Sequence, residues 1–189
     1  MKGLPEFFSA EGLHAEQFFA TSTDGTKVPY FLVSKKAMKL DGSTPTLLYG
    51  YGGFEVTMTP FYNTGVGIQW LEKGYAYVQA NIRGGGEMGR ERWYEKEGKY
   101  LTKRNTFTDF VDCAKHLHDN QITTPERTAI NGRSAGGLLM GAVLNMAPER
   151  FAVAVAGVPF VDVMVSMCDP SIPLTVGEWE EWGNPNEEK

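Results

Sequence analysis

Polar and apolar positions alternate over His14–Thr21 and again over Val28–Ser34. That period of two predicts two half-buried strands, and Thr23-Asp24-Gly25-Thr26 between them has the composition of a hairpin turn. Residues 1–13 read as a polar lead-in, and Lys35–Pro45 as a basic loop containing Gly and Ser. Thr46–Tyr49 is a short apolar strand running into Gly50-Tyr51-Gly52-Gly53-Phe54. A helix is predicted over Val66–Lys73, then a strong strand over Tyr75–Asn81 that ends in Arg83-Gly84-Gly85-Gly86-Glu87. Phe107–Leu117 has helical period, with Asn105 or Thr106 as the expected cap. The apolar Thr128-Ala129-Ile130 then leads into a second helical pattern at Leu138, Leu139, Ala142, Val143 and Met146, and Phe151–Ala156 reads as a last strand. Strands alternating with helices after an antiparallel start predict a mostly parallel sheet with crossover helices, and no repeat interrupts it.

Between the Thr128 strand and the helix that follows lies Gly132-Arg133-Ser134-Ala135-Gly136, a Gly-x-Ser-x-Gly pattern in the strand–turn–helix context of a nucleophile elbow. A serine at the tip of so tight a turn crowds its neighbours, which favours glycine two positions to either side. The turn lifts the hydroxyl into a cleft, and the first amides of the helix face the same point, where an oxyanion would be stabilised. The plainer alternative is a Gly-rich turn holding an ordinary serine. The flanking strand and helix favour the elbow.

Composition narrows the field. Hydrophobic residues at 42% and aromatics at 12% fit a globular chain with one core. A net charge of −5 gives no reason to expect nucleic acid or an anionic membrane as partner. No apolar run approaches the roughly 18 residues that a membrane span needs. Cys113 and Cys168 lie far apart without metal spacing and read as reduced thiols. With no signal-peptide pattern in residues 1–9, the expected location is cytoplasmic. Neither a metal nor a cofactor is expected. Arg83-Gly84-Gly85-Gly86-Glu87 lacks the spacing of a phosphate loop and reads as a tight turn at a strand end.

Six longer motifs point further. Leu48-Tyr49-Gly50-Tyr51-Gly52-Gly53-Phe54, Asn81–Glu87 and the elbow together resemble the catalytic domain of the prolyl oligopeptidase family. Lys99–Thr106, Gly132–Gly137, Cys168–Thr175 and Gly177–Pro185 resemble its oligopeptidase B branch, whereas Tyr49–Tyr62 is more like the prolyl-specific branches. The resemblance covers about residues 14–189 and implies an α/β-hydrolase fold, here incomplete. The whole of 1–189 would then be one partial catalytic domain, with 1–13 as lead-in and without the family's β-propeller.

The resemblance also implies roles. Ser134 would be the nucleophile, which needs an adjacent base. The backbone N–H of Ala135 and the phenol of Tyr51 would donate to the oxyanion; the plain reading of Tyr51 is a core tyrosine. Glu178 and Glu180 would receive a P1 arginine or lysine, with Phe54 and Trp179 packing on its aliphatic stem. Read without the family, Glu178–Trp182 is a solvated acidic face with two packing tryptophans. The serine–acid–histidine order of this fold is not met, because His14, His116 and His118 all precede Ser134 and read as structural or surface residues. Asp162 and Asp169 follow it, but the family's acid falls after a later strand, past Lys189.

The expected activity is thus a serine-type oligopeptidase acting on short peptides, after Arg or Lys. One alternative is a truncated, inactive homologue that binds or pairs with the complementing C-terminal half or a propeller. Another is a prolyl-specific peptidase or an esterase of the same fold.

Overall fold

The computed structural model describes residues 5–188, so the first four residues of the expected lead-in lie outside the described residues. Strands β1 (Leu13–Thr21) and β2 (Lys27–Lys35) pair antiparallel along their whole length, from Leu13 opposite Lys35 to Thr21 opposite Lys27. The turn closes as expected: Ser22 N–H donates to Thr26 O (2.8 Å), and Gly25 takes a φ of 88° that only glycine adopts without strain. β3 (Thr46–Tyr49), β4 (Ala76–Ala80), β5 (Thr128–Arg133) and β6 (Val153–Gly157) complete a six-stranded sheet in the order β1-β2-β4-β3-β5-β6. β2 meets β4 antiparallel, and the contacts β3–β4, β3–β5 and β5–β6 are parallel. Each parallel step is bridged by a helix, as such crossovers require. β4 is buried along all five residues, which is why it reads as an apolar run and not as an alternation.

Helices α2 (Arg104–Asp119) and α3 (Ala135–Met146) cover one face. Phe110, Cys113, Ala114 and Leu117 of α2, with Leu139, Met140 and Val143 of α3, close the main core against Tyr30, Leu48, Val78 and Ile130. On the opposite face α1 (Thr64–Gln69) and a 3₁₀ turn at Leu71–Lys73 enclose a smaller cluster of Phe8, Leu71 and Tyr77. β6 is the outer strand on the elbow side and leaves Val153 and Val155 exposed.

The structure departs from the sequence expectations in several places. Within the lead-in, Phe8 is buried and stacks on Tyr62 (4.6 Å between centroids), so its end belongs to the smaller core. The helix expected over Val66–Lys73 starts earlier, capped by Asn63 Oδ1 accepting from Val66 N–H (3.1 Å), and breaks at Trp70, whose indole donates to Ala76 O (2.7 Å). α2 is capped by neither Asn105 nor Thr106. Asn105 Nδ2 donates to Glu97 O (3.0 Å) and Thr106 Oγ1 to Arg83 O (2.7 Å), so tertiary contacts take both side chains. Finally, α4 (Val163–Cys168) and α5 (Thr175–Trp182) form where no helix was expected.

Candidate active site

β5 ends at Arg133, α3 begins at Ala135, and Ser134 alone makes the turn with φ 58° and ψ −116°. A positive φ on a side-chain-bearing residue is strained and persists only where its surroundings enforce it. Here the backbone of Ser134 is held at every polar atom. Its N–H donates to Gly157 O (3.0 Å), and its carbonyl accepts from Gly137 (2.9 Å), Leu138 (3.1 Å) and Phe160 (3.2 Å). The flanking glycines are required by space. A Cβ on Gly132 would lie 2.2 Å from Gly136 O, and one on Gly136 would lie 2.8 Å from Gly50 O. The hydroxyl is left exposed.

Ser134 opens into a cleft of ≈230 Å³ lined by Phe54, Ala135, Val158, Pro159, Phe160, Glu178 and Trp182. A larger cavity of ≈420 Å³ lies on the α1 face among Phe8, Phe31, Phe61 and Tyr77, but it holds no nucleophile. Ala135 is the first residue of α3, so its amide is among the helix-start N–H groups that have no carbonyl partner within the helix. Tyr51 is half-buried two residues past the end of β3, and a Cβ on Gly136 would stand 3.4 Å from its Cα, so its loop lies against the elbow. Burial raises the phenol's pKa, the charges of Glu181 and Glu178 push in the same direction, and the neighbouring Ser134 opposes them. The group stays protonated, as an oxyanion donor must.

The aromatic walls meet edge to face: Phe54 and Trp182 stand 5.5 Å apart at 86°, with Phe160 also 5.5 Å from Trp182. Trp182 Nε1–H donates to Glu178 Oε2 (2.9 Å), which fixes a carboxylate in the wall facing Ser134. Of the residues expected to bind substrate, then, Phe54 and Glu178 line the cleft. Trp179 and Glu180 do not: the Trp179 indole donates to Met167 O (3.0 Å), tying α5 to α4, and Glu180 is exposed and accepts from Tyr100 Oη (3.3 Å). Sequence reasoning missed Trp182 and Phe160. Trp182 follows Glu178 by one helical turn, a spacing that carries information only once α5 is known to be a helix.

The Gly-rich turn after β4 is a support. Arg83 is buried, and its guanidinium bonds Asp109 through Nε (2.9 Å) and Nη2 (2.7 Å), Asp24 at 2.6 Å and Glu97 at 3.2 Å. Beside it Glu87 Oε1 accepts from Met58 N–H (2.9 Å) and Asn81 Nδ2 (3.1 Å), anchoring the segment that follows Phe54; burial raises this carboxyl's pKa.

None of the histidines lines the cleft. His14 Nδ1 lies 3.2 Å from Ser34 O, His116 Nδ1 bonds Tyr30 Oη (3.0 Å), and His118 Nε2 bonds Thr128 Oγ1 (2.9 Å). Asp162 precedes α4, and Asp169 accepts from Ser171 N–H (2.9 Å) and Oγ (2.6 Å). Among the described residues no three His, Cys, Asp or Glu side chains form a metal-binding group, and no helix is long and apolar enough to cross a membrane.

Comparison with known proteins extends this geometry. Protease 2 of Moraxella lacunata is 50% identical over 174 residues, 92% of this chain and 25% of that protein. Oligopeptidase B from Trypanosoma brucei, solved in a closed form with covalently bound antipain, is 56% identical with a TM-score of 0.91 over 95% of this chain and 25% of its own. Oligopeptidase B from Leishmania major is 54% identical with a TM-score of 0.90, over 95% of this chain and 24% of its own. The chain therefore spans about a quarter of the length of the relatives it matches, and it shares the α/β-hydrolase fold of their catalytic domains. The model of the prolyl oligopeptidase family matches residues 62–189. On a match that takes in both the elbow and α5, the chain belongs to the prolyl oligopeptidase family of serine peptidases.

Proposed function

We propose that this chain carries the nucleophile and the P1-binding wall of an oligopeptidase that cleaves short peptides after arginine or lysine. Ser134 attacks the scissile carbonyl, and the Ala135 amide and the Tyr51 phenol receive the developing oxyanion. Glu178, with Glu180 as the second carboxylate on α5, receives the cationic P1 side chain, while Phe54 packs on its methylenes and Trp179 braces α5 from behind. One observation carries the reading: the strained serine and a carboxylate fixed by an indole share one aromatic-walled cleft.

No histidine lies beside Ser134, so turnover draws its base and acid from a segment that complements these residues. On this reading residues 1–189 act as part of a larger catalytic domain, to which a propeller would be a further partner. The unpaired thiols, Cys113 buried and Cys168 exposed, support a cytoplasmic setting.

The P1 preference is tested by binding, which needs no base. N-acetyl-arginine amide and N-acetyl-proline amide are titrated into the chain while NMR follows the Trp182 indole N–H, the group bonded to Glu178. A charged hydrogen bond gained in the cleft predicts that the arginine amide binds about tenfold tighter or better, and that Glu178→Gln abolishes the difference. Equal affinities, or a preference that survives Glu178→Gln, would overturn the basic-residue reading. Tighter binding of the proline amide would favour the prolyl reading, for which the Phe54–Trp182–Phe160 walls are suited.

A further inference from the structure

Three glutamates stand within four residues on α5, and packing gives them three different surroundings. Glu178 faces the cleft and Glu180 is exposed. Glu181 is buried, with its side chain only 1% exposed, against a Lys103 side chain that is 12% exposed. Both carboxylate oxygens are occupied: Oε1 accepts from Lys103 Nζ (3.0 Å) and Oε2 from Tyr94 Oη (2.7 Å). The ammonium is equally engaged, donating to Glu181, to Gly98 O (3.3 Å) and to Gly52 O (2.5 Å), so its three protons have three acceptors. It also lies 5.3 Å from the centre of the Trp182 ring. A Cβ on Gly53 would stand 3.2 Å from Glu181 Oε1 and 3.5 Å from Ala135 Cβ, so the loop behind Tyr51 is wedged between this pair and the elbow.

We propose that Lys103 and Glu181 are positioning residues, whose buried ion pair locks α5 to the Gly52 carbonyl and so fixes Glu178 and Trp182 relative to Tyr51 and Ser134. The inference rests on the cleft being the P1 site, as proposed above. Glu181 is buried, does not line the cleft and has both oxygens engaged, so it takes no part in receiving a substrate cation. Its charge is matched by Lys103, so the attraction for a cation comes from Glu178 in the cleft wall, with the exposed Glu180 as the second carboxylate. Burial lowers the Lys103 pKa and the Glu181 charge opposes that fall, as expected for an ammonium kept charged by its partner.

Lys103→Met separates positioning from simple electrostatics, because the two predict opposite signs. Deleting a positive charge beside the cleft would tighten binding of a cation if charge alone mattered. Loss of the lock weakens it. The chain, Lys103→Met, Lys103→Arg and the double variant Lys103→Met/Glu181→Leu are titrated with N-acetyl-arginine amide and N-acetyl-proline amide, with NMR following the Trp182 indole and the Gly53 and Ala135 amides. The double variant removes both buried charges, an exchange often neutral or favourable for stability, so it reports on a folded chain even where the single variant unfolds. Expected are an approximately tenfold loss of arginine-amide affinity in Lys103→Met and in the double variant, displaced Trp182, Gly53 and Ala135 resonances, and substantial recovery in Lys103→Arg. Unchanged or tighter arginine-amide binding in a folded double variant would overturn the inference while leaving the P1 reading intact. A wild-type chain whose arginine preference ignores Glu178→Gln would instead overturn the P1 reading, and with it the premise of this one.

Discussion

Asp109→Ala tests whether the support behind the site is as tightly integrated as its geometry implies. Asp109 is fully buried, and its carboxylate accepts four hydrogen bonds: Arg83 N–H (3.0 Å), Nε (2.9 Å) and Nη2 (2.7 Å), and Ser22 Oγ (2.7 Å). Alanine leaves the Arg83 guanidinium buried with Asp24 and Glu97, both partly open to water. Breaking a buried pair by removing one partner costs about 3–5 kcal/mol, because the surviving charge has lost its compensation. Asp24 softens the loss. Arg83 already holds its carboxyl at a pKa of about 2, and a guanidinium freed from Asp109 can lean further toward it. The lower half of the range, about 3–4 kcal/mol, is therefore expected, a sizeable share of the roughly 5–15 kcal/mol that stabilises a typical domain. With a urea m-value of about 2 kcal/mol/M, the unfolding midpoint should fall by about 1.5–2 M, with m unchanged. Asp109→Asn keeps the volume and one acceptor oxygen and should lose about half as much. A midpoint shift below about 0.5 M for Asp109→Ala would refute the reasoning, since it would mean that Arg83 is satisfied without Asp109.

Two further outcomes follow from the elbow and the histidines. Gly132→Ala drives a methyl to within 2.2 Å of the Gly136 carbonyl, a backbone atom that cannot yield without moving the turn; a loss at or above the top of the approximately 1–3 kcal/mol overpacking range is expected in the same urea assay, larger than for Gly136→Ala. Burial lowers the pKa values of His116 and His118 below the ordinary 6.5, so the unfolded chain binds their protons first. Their contribution to stability is complete above pH 6.5 and is lost as pH falls through the folded values. Thermal unfolding followed between pH 7.5 and about pH 5 should show a declining Tm, and His118→Gln should flatten the decline. A slope identical in wild type and variant would contradict it.

How much of this was legible depended on how far each feature is local. The hairpin, β3, β4, the elbow and α3 follow from period and turn chemistry, because each is decided by neighbours in sequence. The segment Arg90–Lys96 was not foreseen. It winds as a π-helical turn whose side chains pair five apart, Arg90 with Glu95 (2.7 Å), Lys96 with Glu91 (2.6 Å) and Arg92 with Glu97 (2.8 Å), whereas the usual pattern search looks three and four apart. The oxyanion role of Tyr51 rested on family resemblance, since nothing near it in the chain announces that its loop packs against an elbow more than eighty residues away. The lining of the cleft was half legible: of Phe54, Glu178, Trp179 and Glu180, only Phe54 and Glu178 face it. Glu178 and Glu180 were named by resemblance, but which carboxylate faces the cleft depends on the helix register, and no local signal sets that register.

That register explains why an acidic run need not be a solvated face. Glu-x-Glu-Glu on an isolated eight-residue helix would repel itself, and a helix so short is marginal in water in any case. Here the repulsion is divided by direction: one charge is neutralised in the interior by Lys103, one is exposed near Tyr100, and one is held against an indole in the cleft wall. The buried member decides the other two. A helix anchored at Glu181 by an ammonium and a phenol must place the residue three positions earlier on a neighbouring face, and in this fold that face opens toward Ser134. Lys103 is supplied by the residue just before α2, and its Gly52 contact reaches the loop of Tyr51. The cation that fixes the acidic helix thus reaches both the expected oxyanion donor and the expected P1 wall. The geometry of Ser134 comes from crowding at a strained turn, whereas the geometry of the proposed binding wall comes from one buried ion pair between residues 78 positions apart.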